Sequence, residues 1–356
     1  MTYADPQESR ERFINDLQDI LSTREYEMVF ASREVTTIPL SYYKSELETK
    51  TTIPFPEWDV MEQTVDKSQT FTIADKIGVP TPTTHILAEP GELNDIVDQL
   101  EYPQVVKPQS KTTWVDDRPQ MMKVTDENYV NSFTELERIS EKIYDRTGHM
   151  PLIQEYIPGE GYGVELLCEN GDSKAQFMHR RLREYPITGG ASTYRESIYN
   201  SKLEKPAADL LKAMNWTGVA MVEFRLDERD GLPKLMEING RFWGSLPLAV
   251  AAGIEFPYLL YQLYRGDSVQ ETEYDVGVRS RWLFPGDLLW FASSLKKRSN
   301  RLNIIRQFAT IRNQHYDILS ASDPLPLLGA VRNILHQGYD VITGKRNLSG
   351  ETTNQK

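Results

Sequence analysis

Cysteine is nearly absent: Cys168 is the only one in 356 residues, so no disulfide can form within the chain and an oxidising compartment is not implied. No apolar run approaches the roughly 20 residues that a membrane-spanning helix needs. Residues 1–10 (MTYADPQESR) lack the basic start and apolar stretch of a secretory leader. Positive charge is in deficit, with 40 lysines and arginines against 52 acids; the net charge of −12 argues against a general nucleic-acid binder, which needs a basic footprint. Neither GxxxxGK[ST] nor GxGxxG occurs, so a P-loop or simple dinucleotide fold is unsupported. Internal repeats and low-complexity tracts are missing too. What remains is an ordinary globular balance, 39% hydrophobic and 26% charged, in a chain long enough for two or three lobes of about 150 residues each. A cytoplasmic protein without a transmembrane segment is expected.

Periodicity supplies the elements. Residues 8–23 place Phe13, Leu17, Ile20 and Leu21 at helical spacing, EMVFAS reads as a strand, and SYYKSELETKTTIPFPEWDV reads as a loop broken by Pro54 and Pro56. A helix over 67–77 stops at Gly78, and further helices are predicted near 91–100, over 132–147 and over 203–214. QVVKP, MMKV and LIQEYI read as strands, GVELLCEN and SKAQFMHRRLREYP as a hairpin, and GVAMVEFRLD and PKLMEIN as a second strand pair. SLPLAVAAG and FPYLLYQLYRG read as helices. Amphipathic helices over 279–340 suit a packing surface or a homodimer face, with an anionic membrane surface as the other use. Consecutive antiparallel strands among helices favour an α+β chain with α/β-type lobes over one doubly wound sheet.

Chemistry concentrates in LMEINGRFWGS. Glu237, Asn239 and Arg241 are set two residues apart and so share one strand face. Glu223 interrupts the apolar strand before it, and a short turn brings the two strands side by side. Two carboxylates and an amide suit Mg²⁺, which takes one or two carboxylates with phosphate oxygens and water. The plainer readings are a polar strand end for the first set and a cross-strand ion pair with Arg225 or Lys234 for Glu223. Lys67 opens a helix, Lys107 closes an apolar strand and Lys123 lies in MMKV; each is a phosphate ligand or a solvated lysine. LIQEYIPGEG is an apolar strand stopped by Pro158-Gly159, either a nucleotide-reading edge or an ordinary strand exit. Beside His179, Arg180, Arg181 and Arg183 lie on one strand; Arg181 and Arg183 share a face that suits phosphate or carboxylate, or simply a basic outer surface.

The order Lys67, VVKP, IQEYIPGEG, a VEF strand and MEINGRFWGS resembles the ATP-grasp superfamily, above all its bacterial and archaeal carboxylate–amine ligase-like members. The similarity runs from about Lys67 to Gly266. It implies an ATP-grasp domain over 67–270, with a lid region near 104–153 and a metal and ATP core near 154–270. Around it stand a shortened N-terminal α/β lobe at 1–66, a C-terminal helical extension at 271–345 and a disordered tail at 346–356. By the resemblance, Lys67 and Lys107 hold ATP phosphates. Gln154, Glu155, Tyr156 and Ile157 form the adenine hinge, and Glu160 holds the ribose. Glu223, Glu237 and Asn239 bind Mg²⁺, with Mn²⁺ as a substitute. Arg241 meets the γ-phosphate or acyl phosphate, with Arg181 or Arg183 as a second contact.

Two departures stand out. The loop PQSKTTWVDDRPQMMKV has no glycine where many relatives have a glycine-rich lid, so Ser110, Lys111 or Thr112 is the substitute phosphate contact and Trp114 the cover. Only about 65 residues precede Lys67, so the front lobe is reduced. The implied reaction joins a small carboxylate to an amine through an acyl phosphate, releasing ADP and phosphate. A carboxylase or phosphotransferase on the same fold, or an ATP-binding sensor without turnover, is the alternative.

Overall fold

Ser9 caps the first helix, α1 (Arg10–Thr23), by accepting from the Arg12 N–H, and Phe13, Ile14, Leu17 and Leu21 bury its inner face. The computed structural model describes residues 2–115, 118–187, 189–270, 272–297, 300–310, 313–320 and 322–342; the expected disordered tail at 346–356 lies outside them. Next come α2 (Glu34–Tyr42), α3 (Lys44–Leu47), α4 (Trp58–Val65) and α5 (Lys67–Ile77). Between Arg10 and Val65 the described elements are therefore helices, where a shortened α/β lobe was expected. EMVFAS forms a single parallel bridge, Met28 to Thr52, instead of a strand.

The expected loop at 41–60 is also partly helical, in α3 and the start of α4, and α2 runs into its start. Pro39 lies inside α2, where a proline costs about 3 kcal/mol. Burial of Val35, Ile38 and Leu40, each stabilising by about 1.5–3 kcal/mol, outweighs that cost. Helix α5 stands where the sequence placed it. Asp66 caps it by accepting from the Ser68 N–H, and Gly78, at φ 76°, ends it.

The chain divides into two units, Met1–Arg180 with Ser197–Val276, and Arg181–Glu196 with Gly277–Lys356. The first thus absorbs the N-terminal segment, and the second adds 181–196 to the C-terminal extension. After α5 come β1 (Thr84–Ile86), α6 (Leu93–Ile96), β2 (Gln104–Lys107), β3 (Thr112–Val115), β4 (Arg118–Met121), β5 (Tyr129–Val130), α7 (Phe133–Thr147) and β6 (Leu152–Glu155). An antiparallel sheet in the order β1-β6-β2-β5 packs Val106, Val130 and Ile153 against Leu136, Ile139 and Ile143 of α7. The glycine-free lid is an antiparallel hairpin, β3–β4; its second strand ends at Met121, leaving Lys123 exposed and outside the expected MMKV strand.

The larger sheet builds the site. Its strands are β7 (Gly161–Glu169), β8 (Asp172–Tyr185), β9 (Ala191–Ser197) and, after α8 (Ser201–Ala213), β10 (Gly218–Leu226) and β11 (Pro233–Asn239); α9 (Leu246–Ala251) and α10 (Phe256–Tyr264) follow. Within the first unit the order is β11-β10-β7-β8, antiparallel throughout. Val164, Leu166 and Cys168 of β7 and Ala220, Val222 and Phe224 of β10 enter a core with Phe71, Leu203 and Leu210. By strand alternation Gly163, Glu165, Met221 and Glu223 look the other way. Burial pushes the Cys168 thiol up to about 12, so it is a core residue and no nucleophile.

In the second unit, β12 (Arg279–Arg281) pairs antiparallel with β9, and β13 (His315–Tyr316) pairs parallel with β12. Helices α11 (Leu288–Lys297), α12 (Arg301–Phe308) and α13 (Leu325–Ile342) complete it. Its interior is ionic. Asp287 accepts from Arg183 and from Arg281, both at 2.7 Å, and Arg195 donates to Asp317 at 2.5 Å. Among the described residues no helix is long and apolar enough to cross a membrane.

Candidate active site

The strand pair β10–β11 places Glu223 opposite Glu237 and Met221 opposite Asn239, so both acids and the amide emerge on one face. Asn239 sits between the acids. Its Nδ2 donates to Glu223 Oε1 at 2.9 Å and to Glu237 Oε1 at 3.2 Å, which turns its oxygen outwards. That Oδ1 accepts from Lys111 Nζ at 3.3 Å and from Arg241 Nη2 at 3.1 Å. Lys111 Nζ also donates to Glu237 Oε1 at 2.5 Å. Arg241 is held by a second bond, Nη1 to the Phe242 carbonyl at 2.7 Å.

Gly240 lets the chain leave this strand end. A Cβ there would lie 2.4 Å from Trp216 Cη2 and 2.9 Å from Thr64 Oγ1. The walls come from short helices: Glu34, Thr37 and Ile38 of α2 and Met61, Thr64 and Val65 of α4 line one pocket with Lys67, Lys111, Glu237 and Arg241.

Lys67 is buried at the start of α5, and burial lowers its pKa although Glu237 pulls it back up. Burial likewise brings Lys107 down to about 8, again against Glu237. Burial works to raise the Glu237 pKa, but the ammonium groups of Lys111 and Lys67 hold it well below the ordinary carboxylate range. Burial works to lower the Lys111 pKa, but Glu237, Glu34 and Glu223 together raise it. Around the site Lys67, Lys107, Lys111 and Arg241 outnumber Glu34, Glu223 and Glu237 by one, an excess that an anionic ligand would neutralise.

Glu237 and Asn239 already converge on one cation, the Lys111 ammonium, through hard oxygen donors. That donor chemistry fits Mg²⁺ or Mn²⁺, with Glu223 adjoining through the shared amide. Among the described residues no three His, Cys, Asp or Glu side chains gather at one metal-sized point. The set is therefore two carboxylates and an amide, leaving coordination positions for phosphate oxygens and water.

The expected hinge is more mixed. Gln154 is buried; its Oε1 accepts from Lys107 Nζ at 2.6 Å and its Nε2 donates to Thr84 Oγ1 at 2.9 Å, so the side chain positions a lysine. Glu155 accepts from the Thr83 N–H at 2.9 Å and from Arg229. Tyr156 stands edge-on to Tyr129 with ring centroids 5.9 Å apart, and Ile157 is buried. Glu160 accepts from the Tyr162 hydroxyl at 3.1 Å and stays exposed.

The two strand arginines belong to the second unit. Arg181 donates to Glu184 at 3.2 Å and to the Gly190 carbonyl at 3.3 Å. Arg183 is buried in the second unit between Asp287, the Gln307 carbonyl and the rings of Tyr194 and Trp290. Both terminal nitrogens of that guanidinium are thus engaged within the fold, where a second contact to phosphate was expected. Trp114, expected as a cover, lies under the Arg10 guanidinium at 5.3 Å from its ring centre.

Two features escaped sequence reasoning. Lys111 was read as a phosphate contact, and nothing local signals its bond to a residue 126 positions away. Glu165 and His179 form a buried pair, 2.7 Å apart, on the same sheet face. Glu165 interrupts an apolar strand just as Glu223 does, and that signal was available.

Comparison with known proteins adds the following. Residues 149–283 match the family described as ATP-grasp in the biosynthetic pathway with Ter operon. A D-aspartate ligase from Enterococcus faecium is 24% identical over 213 residues, covering 57% of this chain and 50% of that protein. The chain thus spans about half the length of this curated relative. An L-amino acid ligase structure from Bacillus licheniformis superposes with a TM-score of 0.55 at 21% identity, covering 72% of this chain and 60% of that one. The biotin carboxylase domain of a Hydrogenobacter thermophilus 2-oxoglutarate carboxylase, in complex with MgADP, ADP and bicarbonate, gives 0.60 at 16% identity, covering 76% and 61%. At these identities the structural likeness is one of fold.

Proposed function

We propose that this chain, an ATP-grasp protein, is an ATP- and magnesium-dependent ligase that joins a small carboxylate to an amine. The convergence of Glu237 and Asn239 on a cation, with Lys67, Lys107 and Arg241 around them, carries this reading. The amino acid ligases among its relatives favour an amino acid as one of the two substrates.

In this reading Lys67 and Lys107 hold phosphate oxygens, and Gln154 keeps the Lys107 ammonium aimed by accepting one of its protons. Glu223, Glu237 and Asn239 hold Mg²⁺, which supplies charge neutralisation when bound. Arg241, tethered through Asn239 and the Phe242 carbonyl, faces the oxygens that gain charge as the phosphoryl group moves. The substrate carboxylate oxygen attacks the γ-phosphorus, the bond to the β,γ-bridging oxygen breaks, and ADP leaves. The amine nitrogen then attacks the acyl carbon of the acyl phosphate; inorganic phosphate departs and the nitrogen releases a proton to solvent. Removing one such charged contact would lower the rate on the order of a hundredfold.

Purified protein with ATP, Mg²⁺ and pooled amino acids and amines, beside Glu237→Ala, tests this. ADP and phosphate that require a carboxylate and an amine together, and that vanish in the variant, are expected. AMP and pyrophosphate would overturn the acyl-phosphate route. Bound ATP with no turnover across the pool would favour a sensor.

A further inference from the structure

Lys111 stands just before the β3–β4 hairpin, and its backbone is anchored. Its carbonyl accepts from the Met122 N–H at 2.9 Å, and the Gln109 carbonyl nearby accepts from the Lys67 N–H at 2.9 Å. The side chain is half-buried and ends on Glu237 Oε1 and Asn239 Oδ1, the oxygens assigned above to a divalent cation. A single ammonium on a fixed base therefore stands where a metal ion would bind. The hairpin behind it has no glycine to let its backbone approach phosphate closely, which makes the Lys111 side chain the charged phosphate donor this loop can offer from its fixed base.

We propose that Lys111 is an exchangeable cation. It neutralises Glu237 until a metal–nucleotide complex enters, then yields those oxygens to the metal and moves its ammonium to the terminal phosphate. This rests on the magnesium–nucleotide reading above. Two cations cannot share the Glu237 and Asn239 oxygens without repelling each other, and a doubly charged ion outcompetes an ammonium for a carboxylate. The displaced ammonium, on a flexible four-carbon stem, finds its nearest new anion in the phosphate brought with the metal. Lys67 and Lys107 cannot take this role at Glu237, because they act on it through the field and make no hydrogen bond to it: Lys107 is bound to Gln154.

Mn²⁺ is the probe, its free concentration read by electron paramagnetic resonance, with ATP and ADP binding followed by calorimetry. Lys111→Gln should tighten Mn²⁺ binding without nucleotide by about tenfold and weaken ATP binding by about tenfold, with ADP changed less. Lys111→Arg, which keeps the charge and confirms that the position tolerates replacement, should stay within about twofold of wild type in both. Lys67→Gln should tighten Mn²⁺ binding by less than Lys111→Gln, because only the field changes.

Unchanged Mn²⁺ affinity in Lys111→Gln, or an equal gain in Lys67→Gln, would overturn the exchange. Glu237→Gln separates the layers. If it abolishes Mn²⁺ binding while Lys111→Gln behaves as wild type, the metal reading stands and the exchange falls. If wild type with ATP binds no Mn²⁺, both fall.

Discussion

With Lys107 as a phosphate ligand, as proposed, its low pKa would make nucleotide binding depend on pH in a calculable way. Burial lowers it from 10.5 to about 8 in the free protein, and a bound triphosphate would restore the charged form. ATP affinity should then be flat below pH 8 and fall as pH rises, approaching one decade per unit. At pH 9.5 roughly 3% of Lys107 carries its proton, which predicts a loss of up to about 30-fold, or about 2 kcal/mol. Binding above pH 8 should also take up a proton, visible as a dependence of the calorimetric heat on the ionisation enthalpy of the buffer.

Stability moves the opposite way. The folded pKa lies below the unfolded one, so the unfolded chain binds more protons between about pH 8 and 10.5, and stability rises with pH across that window. Below pH 8 the full penalty, about 3 kcal/mol, is present. Lys107→Arg should remove the pH dependence of affinity. Affinity in wild type that stays level to pH 9.5, with no proton uptake, would refute the reasoning.

Three other substitutions have definite consequences. Gln154→Leu leaves the Lys107 ammonium without its acceptor, so the break in the affinity profile should move below pH 8, and ATP binding at pH 7.5 should weaken. Gly240→Ala forces a Cβ to within 2.4 Å of the buried Trp216 ring and should cost about 1–3 kcal/mol in urea unfolding. Arg183→Met deprives Asp287 of one of its two arginines and the Gln307 carbonyl of its donor, which should destabilise the second unit by about 3 kcal/mol, measured by thermal melting.

Legibility followed the range of the interaction. Helix α5 could be read outright, because Asp66 and Gly78 are local signals that the structure uses as such. The pairing of Glu223 with Glu237 was also readable, because a short turn and period-2 alternation determine which side chains meet. Helix α2 was missed because Pro39 opposes it locally, and the burial that overrides proline is a tertiary effect. Arg183 looked like a ligand for an external anion, but its anion, Asp287, comes from a residue 104 positions further on. No local pattern distinguishes an arginine awaiting a substrate from one already paired. The same blindness hid Lys111.

The alternation along β10 means that the acids and the core are a single specification. A slip of one residue would turn Glu223 into the space of Val222 and Phe224 and deliver those side chains to the pocket. Competence to hold a cation at Glu223 and Glu237 is therefore evidence of correct strand pairing throughout this part of the chain. Retention of protein on a nucleotide column would then act as a sieve for correctly registered molecules, sorting a refolded preparation by conformation before any substrate is known.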